Sequence, residues 1–123
     1  MIIWNKIKWF LQRVFRGYSD YDMIQFYEFL LGKKVLPYLK AWIKSNRNGF
    51  PVEFDTIEDW NKVLDEIVWA MEEVVTEKNE NRIFDEYAKD GDKEKFDKAL
   101  QENWQRAKNG MELFGKYVTA MWD

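Results

Sequence analysis

The sequence contains no cysteine and no histidine. Disulfide bonds, thiolate zinc sites, cysteine nucleophiles, imidazole bases and Ser-His-Asp triads are therefore excluded, and a metal ion would have to bind carboxylates. Long apolar runs are absent too, because no stretch reaches the roughly 18 apolar residues that a membrane span needs. Lys6, Lys8 and Arg13 interrupt the N-terminal segment before a signal-like run forms. These absences predict a cytoplasmic protein that does not span a membrane.

Aromatic residues and an uneven distribution of charge stand out instead. Aromatic side chains make up 18% of the chain and include seven tryptophans, more than a small core normally uses. Residues 1–50 hold nine basic and three acidic residues, whereas residues 51–123 hold ten basic and nineteen acidic ones. This asymmetry favours head-to-tail association or a localised anion site over general affinity for long nucleic acids.

The spacing of apolar residues predicts an all-α fold, a compact bundle of about four helices in a single domain over residues 1–123. In the first helix Ile3, Ile7, Phe10 and Val14 share a face that is expected to pack on the core, and Gly17 ends the helix. A second helix is expected to be capped by Asp20 or Asp22, to bend at Pro37 and to end before the loop at residues 46–51.

Helix three is expected to start at Thr56, and a short helix is expected within residues 76–92. The last helix, roughly residues 93–121, carries apolar residues at a regular spacing of four and three: Leu100, Trp104, Ala107, Met111, Phe114, Val118 and Met121. This seam is expected to pack either against helices two and three of the same chain or against another subunit. Gly110 and Gly115 predict close approach of another backbone.

A second stripe on helix one combines cations with an indole, at a spacing of three, four and three residues: Lys6, Trp9, Arg13 and Arg16. Such a face can neutralise phosphate while a ring stacks on a base, and Tyr18 could add a second ring. The alternative is a solvated basic face with Trp9 at the edge of the core. A bend at Pro37 could bring Lys34 and Lys40 to the same place, although solvated lysines explain them as well.

Two other functions fit parts of the sequence. Glu77 and Glu80, followed by Glu94 and Asp97, resemble the magnesium-binding pattern of the all-helical nucleotide pyrophosphohydrolases. Helix one, with apolar residues on one side and cations on the other, also has the character of an interfacial membrane anchor.

Four segments resemble a widespread family of small tailed-phage proteins: "RVFRGYSDYD" (13–22), "LPYLK" (36–40), "DWNKVLDEIVWAMEE" (59–73) and "GMELFGKYVTAMW" (110–122). That family is similar in turn to the anti-CBASS sponges, phage proteins that sequester cyclic dinucleotide signals without cleaving them. The resemblance implies an oligomer, dimeric or tetrameric, in the cytoplasm of the infected bacterial host. It implies no catalytic residue, metal or cofactor. A virion or protein–protein interaction module is the alternative.

The resemblance also suggests roles for individual residues. Arg16, Gly17, Tyr18, Asp20 and Asp22 match the first motif, and the last motif is matched by Lys116 and Tyr117. On this hypothesis Arg13 and Arg16 bind phosphate oxygens and Tyr18 or Trp9 stacks on a base. Asp20 then accepts a hydrogen bond from a base edge or caps helix two.

Overall fold

A computed structural model describes residues 2–45, 49–87, 89 and 91–121. Six α-helices account for most of them: α1 (Ile2–Arg16), α2 (Asp20–Ile24), α3 (Leu36–Lys44), α4 (Ile57–Thr76), α5 (Lys78–Tyr87) and α6 (Lys93–Tyr117). A π-helical segment (Phe26–Val35) joins α2 to α3, and a 3-10 turn (Val118–Ala120) follows α6. No strand occurs in these ranges, so the predicted all-α class is confirmed. The predicted count of about four helices is not confirmed.

The predicted second helix consists of three consecutive segments, α2, the π-helical segment and α3. Its cap is Ser19, not Asp20 or Asp22: the Ser19 hydroxyl accepts from the Asp22 amide and the Asp22 carboxylate accepts from the Ser19 amide. The Leu36 amide donates to the Leu31 carbonyl, five residues back. Pro37 lies in the first turn of α3, where its missing N–H is tolerated.

Helix α4 forms the centre of the core. Thr56 caps it by accepting from the Asp59 amide, and the side chains of Trp60, Leu64, Ile67 and Met71 are almost completely buried. Each such side chain contributes about 1.5–3 kcal/mol relative to an exposed position. Leu36 and Leu39 of α3 and Tyr117 of α6 pack against the same cluster.

The α6 seam packs within the chain, against α4, and the predicted seam is confirmed in part, because Met111, Phe114 and Met121 pack against the core cluster. The buried positions of α6 include Leu100, Asn103, Gly110 and Tyr117, whereas Trp104 is about half exposed. The contact is close at Gly110, where an added Cβ would lie 2.2 Å from the Ala70 Cβ. The predicted close approach is therefore confirmed at Gly110 but wrong at Gly115, where no atom lies within 4 Å of an added Cβ.

Helix α1 contacts α2 and no other helix of the described chain. The predicted core face of Ile3, Ile7, Phe10 and Val14 is therefore wrong, because all four side chains are exposed. Gly17 ends the helix as expected: it adopts a positive φ of 86° and its amide donates to the Arg13 carbonyl.

Candidate interaction surface on helix α1

The polar face of α1 is held by the first turn of α2. Arg13 Nε and Nη2 donate to the two oxygens of the Asp22 carboxylate, at 2.9 and 2.8 Å. The Ser19 amide donates to the same carboxylate at 2.9 Å, and the Asp22 side chain is only 9% exposed. Two parallel hydrogen bonds between a guanidinium and a carboxylate fix the relative orientation of the two helices.

Asp20 anchors the next part of the same face. Its carboxylate accepts from Gln12 Nε2 at 3.0 Å and from Arg16 Nη2 at 2.6 Å, and Lys8 Nζ lies 3.8 Å away. The Asp20 amide donates in return to Gln12 Oε1 at 2.8 Å. We call these contacts the α1–α2 clamp; its members are Lys8, Gln12, Arg13, Arg16, Asp20 and Asp22.

Two aromatic contacts flank the clamp. The rings of Trp9 and Tyr21 lie 4.8 Å apart between centroids at an angle of 35°. The guanidinium of Arg16 lies 4.5 Å from the centre of the Tyr18 ring while its Nε donates to the Tyr18 carbonyl. Cations and exposed rings are thus concentrated at this corner, as the stripe on helix one predicted.

The clamp changes the ionisation of its own groups. The Arg13 guanidinium, followed by the Ser19 amide, holds the pKa of Asp22 far below its usual range. The Gln12 amide and then Arg16 lower the pKa of Asp20, and the Asp22 carboxylate raises the pKa of Arg13. Both carboxylates are therefore charged at neutral pH, so they offset the charge of two of the three clamp cations.

Because the polar face of α1 faces α2, its apolar side chains face away from the chain. They form an apolar arc that spans about 140° of the helix circumference at 100° per residue. Each member is between 46% and 83% exposed. The members of the apolar arc are Ile3, Trp4, Ile7, Phe10, Leu11, Val14 and Phe15.

A groove of about 380 Å³ runs along one edge of the apolar arc. Trp4, Ile7, Leu11 and Phe15 line its apolar side, and the clamp residues Lys8, Gln12 and Arg16 border it. Prediction from the sequence missed the orientation of the arc, although the apolar spacing of α1 identified four of its residues.

The other predicted site residues lie elsewhere. Lys40 forms an ion pair with Glu72 of α4, and Lys34 lies on the π-helical segment, which does not contact α1. Lys116 Nζ lies 3.7 Å from the Glu53 carboxylate, and the buried Tyr117 donates to that carboxylate at 2.6 Å. Lys6 is exposed on α1. The structure thus brings together Trp9, Arg13, Arg16, Tyr18 and Asp20, but not Lys34, Lys40, Lys116 or Tyr117.

The carboxylates that suggested a magnesium site are not gathered into one. Glu80 accepts from Trp104 Nε1 at 3.1 Å, and Glu77 ends α4 with a positive φ of 53°. Within the described ranges, no three acidic side chains lie close enough together to hold a metal ion.

A buried polar cluster joins α4, α5 and α6. The Glu73 carboxylate accepts from the amides of Asn79 and Glu80 at 2.7 and 2.9 Å, which satisfies the first turn of α5. Asn103 Nδ2 of α6 donates to Glu73 at 2.8 Å, and Asn79 Nδ2 donates to Asn103 Oδ1 at 2.6 Å. This cluster explains why a polar residue lies on the buried face of α6, a position that an apolar pattern does not reveal.

The chain was compared with protein-family models, with curated proteins and with solved structures, and none of the three comparisons gave a match. Among the helices in the described part of the chain, none is both long enough and apolar enough to cross a membrane.

Proposed function

We propose that this protein is a non-enzymatic protein–protein interaction module that binds through the apolar arc of α1. The observation that carries the proposal is the orientation of this helix, which turns its polar face towards its own chain and its apolar face outwards. A helix of a lone globular domain has the opposite arrangement. Exposed apolar patches of this kind mark interaction sites.

Helix α1 lies outside the core cluster of the described residues. Among the described residues, the buried cluster around Trp60, Leu64 and Ile67 draws its members from the segments after α2, and none from α1. The apolar residues of α1 therefore serve a contact outside this core. The homo-oligomer expected from the sequence is one form that such a contact can take.

Photo-cross-linking from the arc tests this proposal without assuming a partner. Phe10 is replaced by p-benzoylphenylalanine, and the control carries the same group in place of Asn5, which is exposed on the opposite face of α1. We expect a covalent adduct with a protein, either this chain or another, from position 10 and not from position 5. Equal yields from the two positions, or no protein adduct from position 10, would contradict the proposal.

A second candidate function is sequestration of a cyclic dinucleotide in the cytoplasm of an infected bacterial cell, as the phage-family resemblance suggests. It is favoured by the concentration of cations and rings at the clamp, above all by Arg16 over the exposed Tyr18 ring. A phosphate would compete with Asp20 and Asp22 for the two arginines. Binding at this corner would therefore loosen the clamp.

Calorimetric titration against a panel of cyclic di- and trinucleotides tests the second candidate. We expect binding to the wild-type chain, recovery of the intact nucleotide by chromatography, and loss of binding in Arg16→Ala. Arg82→Ala is the matched control, because Arg82 is also exposed and pairs with an acid four residues later. Absence of binding across the panel removes this candidate, and a cleaved product would show that the protein is an enzyme.

A further inference from the structure

We infer that the apolar arc of α1 is covered by the same arc of a second copy of this chain, with the two α1 helices antiparallel around a two-fold axis. The inference rests on the proposed interaction function and specifies its partner. Such a contact is isologous, because each copy offers the same surface to the other.

The size of the arc fits a pair of chains. Aromatic side chains bury about 150–250 Å² each when covered, so the three aromatic and four aliphatic members of the arc together offer on the order of 800 Å² of apolar surface per chain. A stable protein–protein interface buries about 800 Å² per partner. One copy of α1 can therefore supply the whole contact that a second copy requires.

The arc also has the spacing of a helix-packing seam. Ile3, Ile7, Phe10 and Val14 follow one another at four, three and four residues, the rhythm at which side chains of one helix insert between those of another. Trp4 and Leu11, seven residues apart, widen this seam on one side. The pattern matches a partner that is itself a helix.

The charge distribution favours a second copy of this chain over a lipid surface as the partner that covers the apolar arc. Helix α1 carries four basic residues and no acidic one, whereas the rest of the chain carries fifteen basic and twenty-two acidic residues. A second copy places the basic α1 of each chain beside the acidic remainder of the other, whereas anionic headgroups would meet this acidic remainder with no such complementarity. Arg13 and Arg16 are already paired with carboxylates of α2, so they do not present free charge to lipid.

The position of the clamp determines the orientation. Gln12, Arg13 and Arg16 attach α1 to the rest of the chain near its C-terminal end. In a parallel pair the acidic remainders of the two chains would lie side by side. An antiparallel pair places them at opposite ends of the paired helices. Antiparallel packing also aligns the two helix dipoles favourably.

Sedimentation equilibrium of the full chain tests whether the partner is a second copy. We expect a mass of twice 15.0 kDa for the wild type. Phe10→Glu places a charge on the arc and should weaken association at least about a hundredfold. Asn5→Glu adds the same charge to the same helix outside the arc and should leave the mass of the pair unchanged.

Disulfide cross-linking tests the relative orientation of the two α1 helices. Because the chain has no native cysteine, only the introduced cysteines can form disulfides. Two variants, Ile3→Cys and Val14→Cys, are mixed and oxidised. Residues eleven apart on a helix are separated by about 16 Å, too far for a disulfide, which needs Cα atoms closer than about 7 Å. An antiparallel pair therefore gives disulfides between the two variants, and a parallel pair gives each variant linked to itself.

The outcomes separate this inference from the proposed function. Self-linked variants, or a chain that remains at 15.0 kDa, would overturn the inference. If that monomer forms an adduct with a different protein from position 10, the interaction function stands with another partner. If it floats with phosphatidylcholine–phosphatidylserine vesicles and forms no protein adduct, both ideas fail and the arc binds lipid.

Discussion

The packing of α4 and α6 and the packing of α1 and α2 follow opposite rules. Between α4 and α6 the apolar side chains face inwards, and the buried polar groups, Glu73 and Asn103, are satisfied by each other and by the start of α5. Between α1 and α2 the polar side chains face inwards and the apolar ones face solvent. The first region is complete as one chain, whereas the second exposes an apolar surface that its own chain does not cover.

The largest effect on the complete region is expected from Gly110→Ala. Alanine would favour the helix by about 1 kcal/mol. Its Cβ, however, would lie 2.2 Å from the Ala70 Cβ and 2.9 Å from the Glu66 carbonyl oxygen. We expect a net loss of about 3 kcal/mol in the free energy of unfolding, measured in urea. Gly115→Ala, with open space around it, is the control and should be neutral or stabilising; equal effects at the two positions would contradict the close packing of α4 and α6.

The next effect is expected from Glu73→Ala, which removes the acceptor for two backbone amides of α5 and for Asn103. Leaving one buried and two partly buried donors unsatisfied should cost about 2 kcal/mol and should speed amide hydrogen exchange at Asn79 and Glu80. Glu86→Ala, an exposed acid on α5 paired with Arg82, should change the free energy of unfolding by less than about 0.5 kcal/mol. Unchanged exchange at Asn79 and Glu80 would show that Glu73 does not hold the start of α5.

These two tests concern features that the sequence alone reveals only in part. The spacing of Trp60, Leu64, Ile67 and Met71 was sufficient to identify the central helix, because the buried face of this helix consists mainly of apolar residues at helical spacing. The complete set of buried positions on α6 was not predictable in the same way, since two of them are a glycine and an asparagine whose partners lie on other helices. The stripe of Trp9, Arg13 and Arg16 was recognised from spacing, but its partners Asp20 and Asp22 only become neighbours once the chain turns at Gly17.

A smaller effect is expected from lowering the pH, which should weaken the contacts of the α1–α2 clamp. The pKa of Asp22 is lowered in the folded chain, chiefly by Arg13. The contribution of this carboxylate to the stability of the folded chain is therefore complete above the pKa of an unperturbed aspartate, about 3.9. It is lost as the pH falls further. We expect the nuclear Overhauser contacts between Trp9 and Tyr21 to weaken below about pH 4 while those within α4 persist. Asp22→Asn cannot ionise, so it should show a weaker clamp at neutral pH and less change with acid; an unchanged acid response in this variant would exclude Asp22 as the sensitive group.

The smallest effect on stability is expected from Arg16→Ala. The Arg16 side chain is 41% exposed and its ion pair with Asp20 lies at the surface, where such pairs contribute about 0–1 kcal/mol. The thermal midpoint should therefore change by no more than about 4 °C. A large fall in the midpoint would assign Arg16 to the structure of the clamp and would leave its predicted role in nucleotide binding without support.

The central claim is that the apolar residues of α1 belong to a contact between chains and not to the core of one chain. Equilibrium unfolding of wild type and Phe10→Glu at several protein concentrations tests it most directly. The wild-type midpoint should rise with concentration, since association stabilises the folded state. The Phe10→Glu midpoint should be independent of concentration and equal to the wild-type value at high dilution. A Phe10→Glu chain that is less stable by about 3 kcal/mol or more at every concentration, as for a buried aromatic residue, would place α1 in the core and contradict the account.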